Sequence, residues 1–180
     1  MTSLPKAVQS WLLVAAGFAV ALKAADRVPA LIGGTPHGAR VYATLAEAEA
    51  AIGAHIWVPT YCPDSLVWPP TRVDVWPGPP PSVAVHLRGR GNERDRLILE
   101  QSIGMLAPPP DLLLQPGQVL MAVDVQVGRR QATLTRALAQ DGQVLHDLSW
   151  DQGTRHVLLR YTGPVEELLL IAASLERMRP

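Results

Sequence analysis

VLMAVDVQVGRRQATLTRALAQDGQVLHDLSWDQGTRHVLLRY, residues 119–161, decides the fold class. Val119, Met121, Val123, Val125 and Val127 alternate with Leu120, Ala122, Asp124 and Gln126, the period of a strand with one apolar and one mixed face. Turn signals then recur at Gly128-Arg129-Arg130, Asp141-Gly142 and Asp151-Gln152-Gly153, dividing the rest of the stretch into Gln131–Arg136, Val144–Trp150 and Arg155–Tyr161. A parallel crossover needs about a dozen residues or more, so strands this close are antiparallel neighbours. The valine-rich face of residues 119–127 is expected to build a large part of the core.

Upstream, Val83, Val85 and Leu87 alternate with Ala84 and His86, and Leu97–Ile103 answers them across Gly89-Arg90-Gly91-Asn92 as a second hairpin. Before it, His55–Val58 and Leu66–Trp76 read as extended chain around the turn Pro59–Asp64. The 17 prolines cluster at Pro69-Pro70, Pro77 to Pro81 and Pro108 to Pro110, as punctuation between strands.

Two helices flank the strands. Thr44-Leu45-Ala46-Glu47 is a capping box, Leu45, Ala48 and Ile52 share the apolar face behind it, and Gly53 suits the left-handed stop. At the other end, Gly163-Pro164-Val165-Glu166-Glu167 opens a helix with carboxylates at the positive end of its dipole. Leu168, Ile171, Ala172 and Leu175 line its buried face, widened by Val165 and Leu169, and Glu167 reads as a surface charge. The expected class is α+β: an antiparallel sheet of about six to eight strands, with a short N-terminal and a longer C-terminal helix on one face.

An apolar anchor helix is expected ahead of this domain. Residues Trp11–Leu22 (WLLVAAGFAVAL) carry no charge, with Lys6 before them and Lys23, Asp26 and Arg27 after. A helix from Leu4 to Leu22 would rise about 28 Å, close to the roughly 30 Å hydrocarbon core. Val28-Pro29-Ala30 is a poor cleavage site, which favours a retained single-pass anchor over a signal peptide that would release the chain as a secreted or periplasmic protein. The flanking charges do not fix orientation. Residues 1–30 are thus the membrane segment, 31–41 a glycine- and proline-containing linker, and 42–180 the domain.

Composition narrows the function. Sixteen basic and sixteen acidic side chains cancel, which removes the electrostatic footprint for nucleic acid, and no nucleic-acid partner is expected. At 48% apolar and 18% charged, the chain folds without a metal or disulfide to hold it. The single cysteine, Cys62, has no internal disulfide partner and reads as a small buried hydrophobe.

Catalytic patterns are missing from the sequence. Neither GxGxxG nor GxxxxGK[ST] nor GxSxG occurs, and His37, His55, His86, His146 and His156 are scattered without HxH or HExxH spacing. The carboxylates available for acid–base work are Glu100, Asp124, Asp147, Asp151 and the Glu166-Glu167 pair, the last better explained by helix polarity. Arg88, Arg90, Arg94 and Arg96 are diluted by Glu93 and Asp95, as on a solvated turn. Trp57, Trp68, Trp76 and Trp150 suit core or edge packing, the alternative being a groove. One reading with chemistry in it stays open: His146 and His156 meeting across a hairpin beside Asp147 to hold a metal, or joining Asp124 in an enzyme site of unrecognised type. No catalytic, cofactor-binding or metal residue is assigned.

Several stretches together resemble a known family. They are Thr44-Leu45-Ala46-Glu47-Ala48, Val58-Pro59-Thr60-Tyr61-Cys62-Pro63-Asp64, Val125-Gln126-Val127-Gly128-Arg129-Arg130-Gln131-Ala132, and Leu148-Ser149-Trp150 leading to Glu166-Glu167-Leu168 and Ile171-Ala172-Ala173-Ser174-Leu175. Their order from Tyr42 to Leu175 is similar to uncharacterised bacterial domains of unknown function found after a single membrane span, as in the extracytoplasmic part of anti-sigma-like proteins. Cys62 stands where that family more often has an aliphatic residue. The resemblance implies an anchored outer domain and no catalytic residues. The functional expectation is a non-enzymatic binding or sensing domain at or beyond the membrane, attached through residues 11–22, with a protein, peptide or lipid as partner and no cofactor.

Overall fold

The structure, a computed structural model, describes residues 38–91, 94–104, 118–139 and 141–177. The chain divides after His37, so these residues all belong to the second unit, Gly38–Pro180. The expected anchor helix at Trp11–Leu22 lies outside the described residues. No described helix is long and apolar enough to cross a membrane.

The fold is α+β and mostly antiparallel sheet, in the order β1 (Arg40–Tyr42), α1 (Leu45–Ile52), β2 (Trp57–Pro59), β3 (Arg72–Trp76), β4 (Ser82–Arg88), β5 (Asp95–Ile103), β6 (Gln118–Val127), β7 (Arg130–Leu138), β8 (Val144–Gln152), β9 (Arg155–Tyr161), α2 (Val165–Ala173) and β10 (Leu175–Arg177). Eight strands form one sheet, β1-β3-β4-β5-β9-β8-β7-β6, and β2 pairs with β10 in a small second sheet. Arg40 and Val41 pair with Val75 and Asp74, so the domain begins inside the segment read as linker.

The turns set the pairing. Gly128 and Gly153 have φ of 61° and 63° and each opens a two-residue turn, between Val127 and Arg130 and between Gln152 and Arg155. A glycine at the first central position is what a type II′ hairpin turn requires.

Both helices lie on one sheet face. Val73, Val75, Val83, Val85, Leu87, Leu97, Leu99, Leu148, Trp150, Val157, Leu159 and Tyr161 form a single core with Ala48 of α1 and Leu168, Ile171 and Ala172 of α2. In α1, Thr44 Oγ1 accepts the Glu47 N–H at 3.3 Å and Gly53 closes the helix in the left-handed region, as its sequence requires. The second helix stops at Ala173, shorter than its apolar period suggested. Leu175 is buried as expected, but from strand β10. Arg130 of β7 donates to the carbonyls of Ala172 and Leu175 at 3.0 and 3.2 Å, supplying the cation that the last turn of α2 lacks.

A core side chain helps fasten the small sheet. Buried Gln101 accepts the Trp57 N–H through Oε1 and donates Nε2 to the Trp57 carbonyl, both at 2.9 Å, so its carboxamide acts as a strand partner for β2. Arg155 bonds the same Oε1, donates to the His55 carbonyl and lies 4.6 Å from the Trp57 ring centroid.

Strand β6 corrects an expectation. It forms where the alternation places it, but at the sheet edge, with Val119 52%, Met121 45% and Val123 40% exposed. Only Val127 of its valine-rich face is buried, with Val125 packed against the core margin. A bulge between Val119 and Met121 also breaks the strict alternation. The period of two identifies a strand but carries no information about its place in the sheet.

Glu167 is likewise not a free surface charge, since its carboxylate accepts a hydrogen bond from the buried Tyr161 hydroxyl. Melts of the full chain will rank three variants. Leu168→Asp, which puts a carboxylate at a fully buried position, costs on the order of 4 kcal/mol or more. Glu167→Ala, which strips the Tyr161 hydroxyl of that acceptor, costs about 1–3 kcal/mol. Exposed Glu166→Ala stays within about 0.5 kcal/mol. Equal melting temperatures for the first and last would overturn the assignment of the helix face. Gly163→Ala is expected to lower the melting temperature as well, by roughly 1–3 kcal/mol of overpacking, because a Cβ there would run into the Tyr161 ring at Cζ.

Candidate functional site

The second face of the large sheet, opposite the helices, collects the polar side chains. The register lays them in rows across the strands. One row runs Val41, Asp74, Ala84, Glu100, Leu158, Ser149, Thr133, Asp124. Beside it runs Arg72, His86, Ile98, Arg160, Asp147, Thr135, and on the other side Trp76, Ser82, Ser102, His156, Asp151. These residues alternate along their strands with the core residues above, so burying one set commits the other to this face.

The charges in these rows are mostly matched to one another. Arg160 donates Nε and Nη2 to both oxygens of Asp147 at 2.7 and 2.6 Å, a bidentate pair with both residues buried. Arg72 holds Asp74 in the same way, at 2.6 Å twice. His86 lies between two carboxylates, Nδ1 2.8 Å from Asp95 and Nε2 3.4 Å from Asp74. The second approach is an ion-pair distance without hydrogen-bond alignment. Ser82 and Ser102 share a hydrogen bond of 3.0 Å.

Glu100 is the exception. It is 9% exposed, stands between Ala84 and Leu158 in its row, and its Oε2 is buried without a hydrogen-bond partner. Burial pushes its carboxyl up to about 7, Arg160 opposes that shift and Asp147 adds to it. A carboxyl that titrates near neutrality is suited to proton transfer. The charged groups acting on it are Arg160 and Asp147, already locked to each other.

The three polar residues singled out for a hidden active site do not converge. Asp124 lies on the edge strand, bonded by Thr133 Oγ1 at 3.1 Å. His156 pairs across the β8–β9 hairpin with Asp151, its Nδ1 2.6 Å from the carboxylate. His146 pairs with Tyr161, and its Nδ1 lies 3.0 Å from the Gly163 carbonyl. Five residues of β8 separate His146 from the partner of His156, about 16 Å of strand at roughly 3.3 Å per residue, and the odd spacing puts the two imidazoles on opposite faces. They cannot share a metal. Among the described residues no group of three or more His, Cys, Asp or Glu is placed to hold one.

Cys62 is half-buried against the core, and burial pushes its thiol up, with Arg90 opposing and Asp64 adding to the shift. Trp150 is a core residue with Arg130 5.8 Å from its ring centroid, and Trp57 packs against the core under Arg155. Trp68 is exposed and Trp76 half-buried, so the four tryptophans line no common groove.

At one end of the polar face a cleft of about 390 Å³ opens, floored by Ile98, Leu145 and Ala139 and flanked by Arg94, Arg96 and Arg160 with Asp95 and Asp141. Sequence reasoning missed this site because Arg94, in the turn before β5, and Arg96 of β5 are brought beside Arg160 of β9 only through the β5–β9 pairing.

Glu100 makes the face sensitive to pH. Its folded value of about 7 lies above the ordinary 4.5, so the stability tied to its protonated form is complete below about pH 4.5 and is lost as pH rises toward 7. Glu100→Gln, which keeps the shape and removes the charge, is expected to melt higher than the parent at pH 8, by on the order of 3 kcal/mol. At pH 4.5 the two should nearly coincide. A difference independent of pH would show that Glu100 is not the titrating group.

Comparisons with protein families, with curated proteins and with solved structures find no match to this chain, so its function has to be argued from the chemistry of the site.

Proposed function

We propose that the chain is a non-enzymatic binding or sensing module, exported or held at the membrane by its apolar segment at residues 11–22, with the folded domain outside the cytoplasm. The observation that carries the binding half is the polar face itself. Its guanidinium groups Arg72 and Arg160 are engaged with Asp74 and Asp147 as bidentate pairs, and Glu100, the carboxyl left with an unpartnered oxygen, is buried, whereas catalysis needs groups left available to a substrate. The hydroxyl–carboxylate contact of Thr133 with Asp124, on β7 and the edge strand β6, stands apart from His146 and His156.

The cleft beside Arg96 offers what recognition uses instead: an apolar floor from Ile98 and Leu145 and a rim of both charges. That combination suits a polypeptide segment, whose side chains are mixed in the same way. The membrane half rests on the composition of Trp11–Leu22 and on the resemblance to extracytoplasmic domains that follow a single span.

Location is tested by fusing alkaline phosphatase, which is active only outside the bacterial cytoplasm, to the C-terminus of the full chain. The expected outcome is an active enzyme in the membrane fraction, and an inactive one when residues 1–30 are removed. High activity of a cytoplasmic fluorescent reporter at the same position, with silent phosphatase, would reverse the orientation and sink the extracytoplasmic reading.

A further inference from the structure

The two edges of the large sheet are unequal. At one edge β1 has three residues, too few to template another strand. At the other, β6 runs for ten residues and exposes Val119, Leu120, Met121 and Val123. It contains no lysine, arginine or proline, the residues that usually blunt an edge, and its single charge, Asp124, is engaged by Thr133. Among the described residues no strand lies beyond it.

The free side of its backbone is set by the hairpin. Val127 and Arg130 flank a two-residue turn, so they bond each other, and by alternation Val125 and Val123 also direct their N–H and C=O groups toward β7. Ala122, Asp124 and Gln126 direct theirs outward.

We infer that this edge is a self-association surface, at which two copies of the chain pair antiparallel through β6 about a two-fold axis at Val123. An isologous contact needs a self-complementary strand, and this register provides one. Val123 faces its own copy at a position without ladder bonds, Met121 faces Val125 of the second copy, and Ala122 exchanges backbone bonds with Asp124 of the second copy. No like charges meet. An axis at Asp124 would oppose two carboxylates, and an axis nearer the N-terminus would shorten the regular ladder, which with the axis at Val123 runs from Met121 to Val125 before the bulge at Leu120. The zero net charge of the chain opposes association with no overall repulsion. Pairing sets the exposed Met121 and Val123 of both copies against apolar partners and extends the eight-stranded sheet to sixteen strands. This surface is separate from the polar cleft and acts on whichever side of the membrane the domain lies.

The test uses the full chain in mild detergent with Cys62→Ser as background. Val123→Cys places two thiols at the axis, where facing Cα atoms of a non-bonded pair stand about 4.5 Å apart, within disulfide range. Oxidation is expected to give a covalent dimer from Val123→Cys and none from Val41→Cys, which is 62% exposed on the opposite edge. Sedimentation equilibrium should show a dimer for the parent chain. Val123→Lys, by opposing two ammonium groups on the axis, should weaken that dimer about tenfold or more while leaving unchanged the melting temperature measured at concentrations too low for the parent to dimerise. Equal crosslinking of both cysteines would place the association elsewhere in the chain and overturn the inference. A parent chain that sediments as a monomer while Val123→Cys stays reduced would overturn it too, leaving β6 as an edge for a strand of another protein.

Discussion

An eight-stranded sheet has two faces, and among the described residues the helices cover one. That constraint governs the rest of the structure. On the covered face the strands carry valine and leucine, and α1 and α2 bring Ala48, Leu168, Ile171 and Ala172 down onto them in a dry core. On the other face the same strands carry polar groups, several of them also withdrawn from water by their neighbours. Such groups are tolerated where each finds a partner, and the bidentate pairs Arg72–Asp74 and Arg160–Asp147 are that solution. Glu100 has no such partner for one oxygen, and its raised titration is the consequence.

Fastening the helices and the small sheet to the covered face takes polar side chains inside the core. Gln101 offers Trp57 the donor and acceptor of a missing strand, Arg130 reaches from β7 to the carbonyl end of α2, and the Tyr161 hydroxyl meets Glu167 in the first turn of the same helix. Each contact satisfies backbone or hydroxyl groups that would otherwise be buried unpaired. The first two also join elements remote in the chain.

How much of this was legible in the sequence depends on the range of the signal. Local chemistry read well: the threonine cap and Gly53 stop of α1, and the turns at Gly128, Gly142 and Gly153, determine elements that form within a few residues of their signals. The β4–β5 hairpin and the β6-β7-β8-β9 run are equally local. What failed was long-range. Strand β10 has only three residues and exists by pairing with β2, more than a hundred positions away. The position of β6 at an edge is set by where β5 and β9 meet, which no window of sequence contains. The placing of His146 against His156 is the instructive miss, because the signal was present. A two-residue turn opened by Gly153 pairs Gln152 with Arg155, and counting outward then opposes His156 to Asp151 and His146 to Tyr161.

The division between paired charge and exposed valine also ranks the surfaces open to a partner. Covering the rows that hold Arg160–Asp147 and Arg72–Asp74 would strip water from groups already bonded to each other, a desolvation cost that a partner must match with hydrogen bonds of its own. Covering β6 removes apolar side chains from water and satisfies outward backbone groups, and Asp124 alone carries charge there. Contacts that bury much area therefore form more readily along the edge, while the cleft near Arg96 suits a smaller and more polar contact at the rim of the face. One sheet thus presents two surfaces of different chemistry. The alternation along its strands creates the polar one, and the ending of the sheet at β6 creates the apolar one.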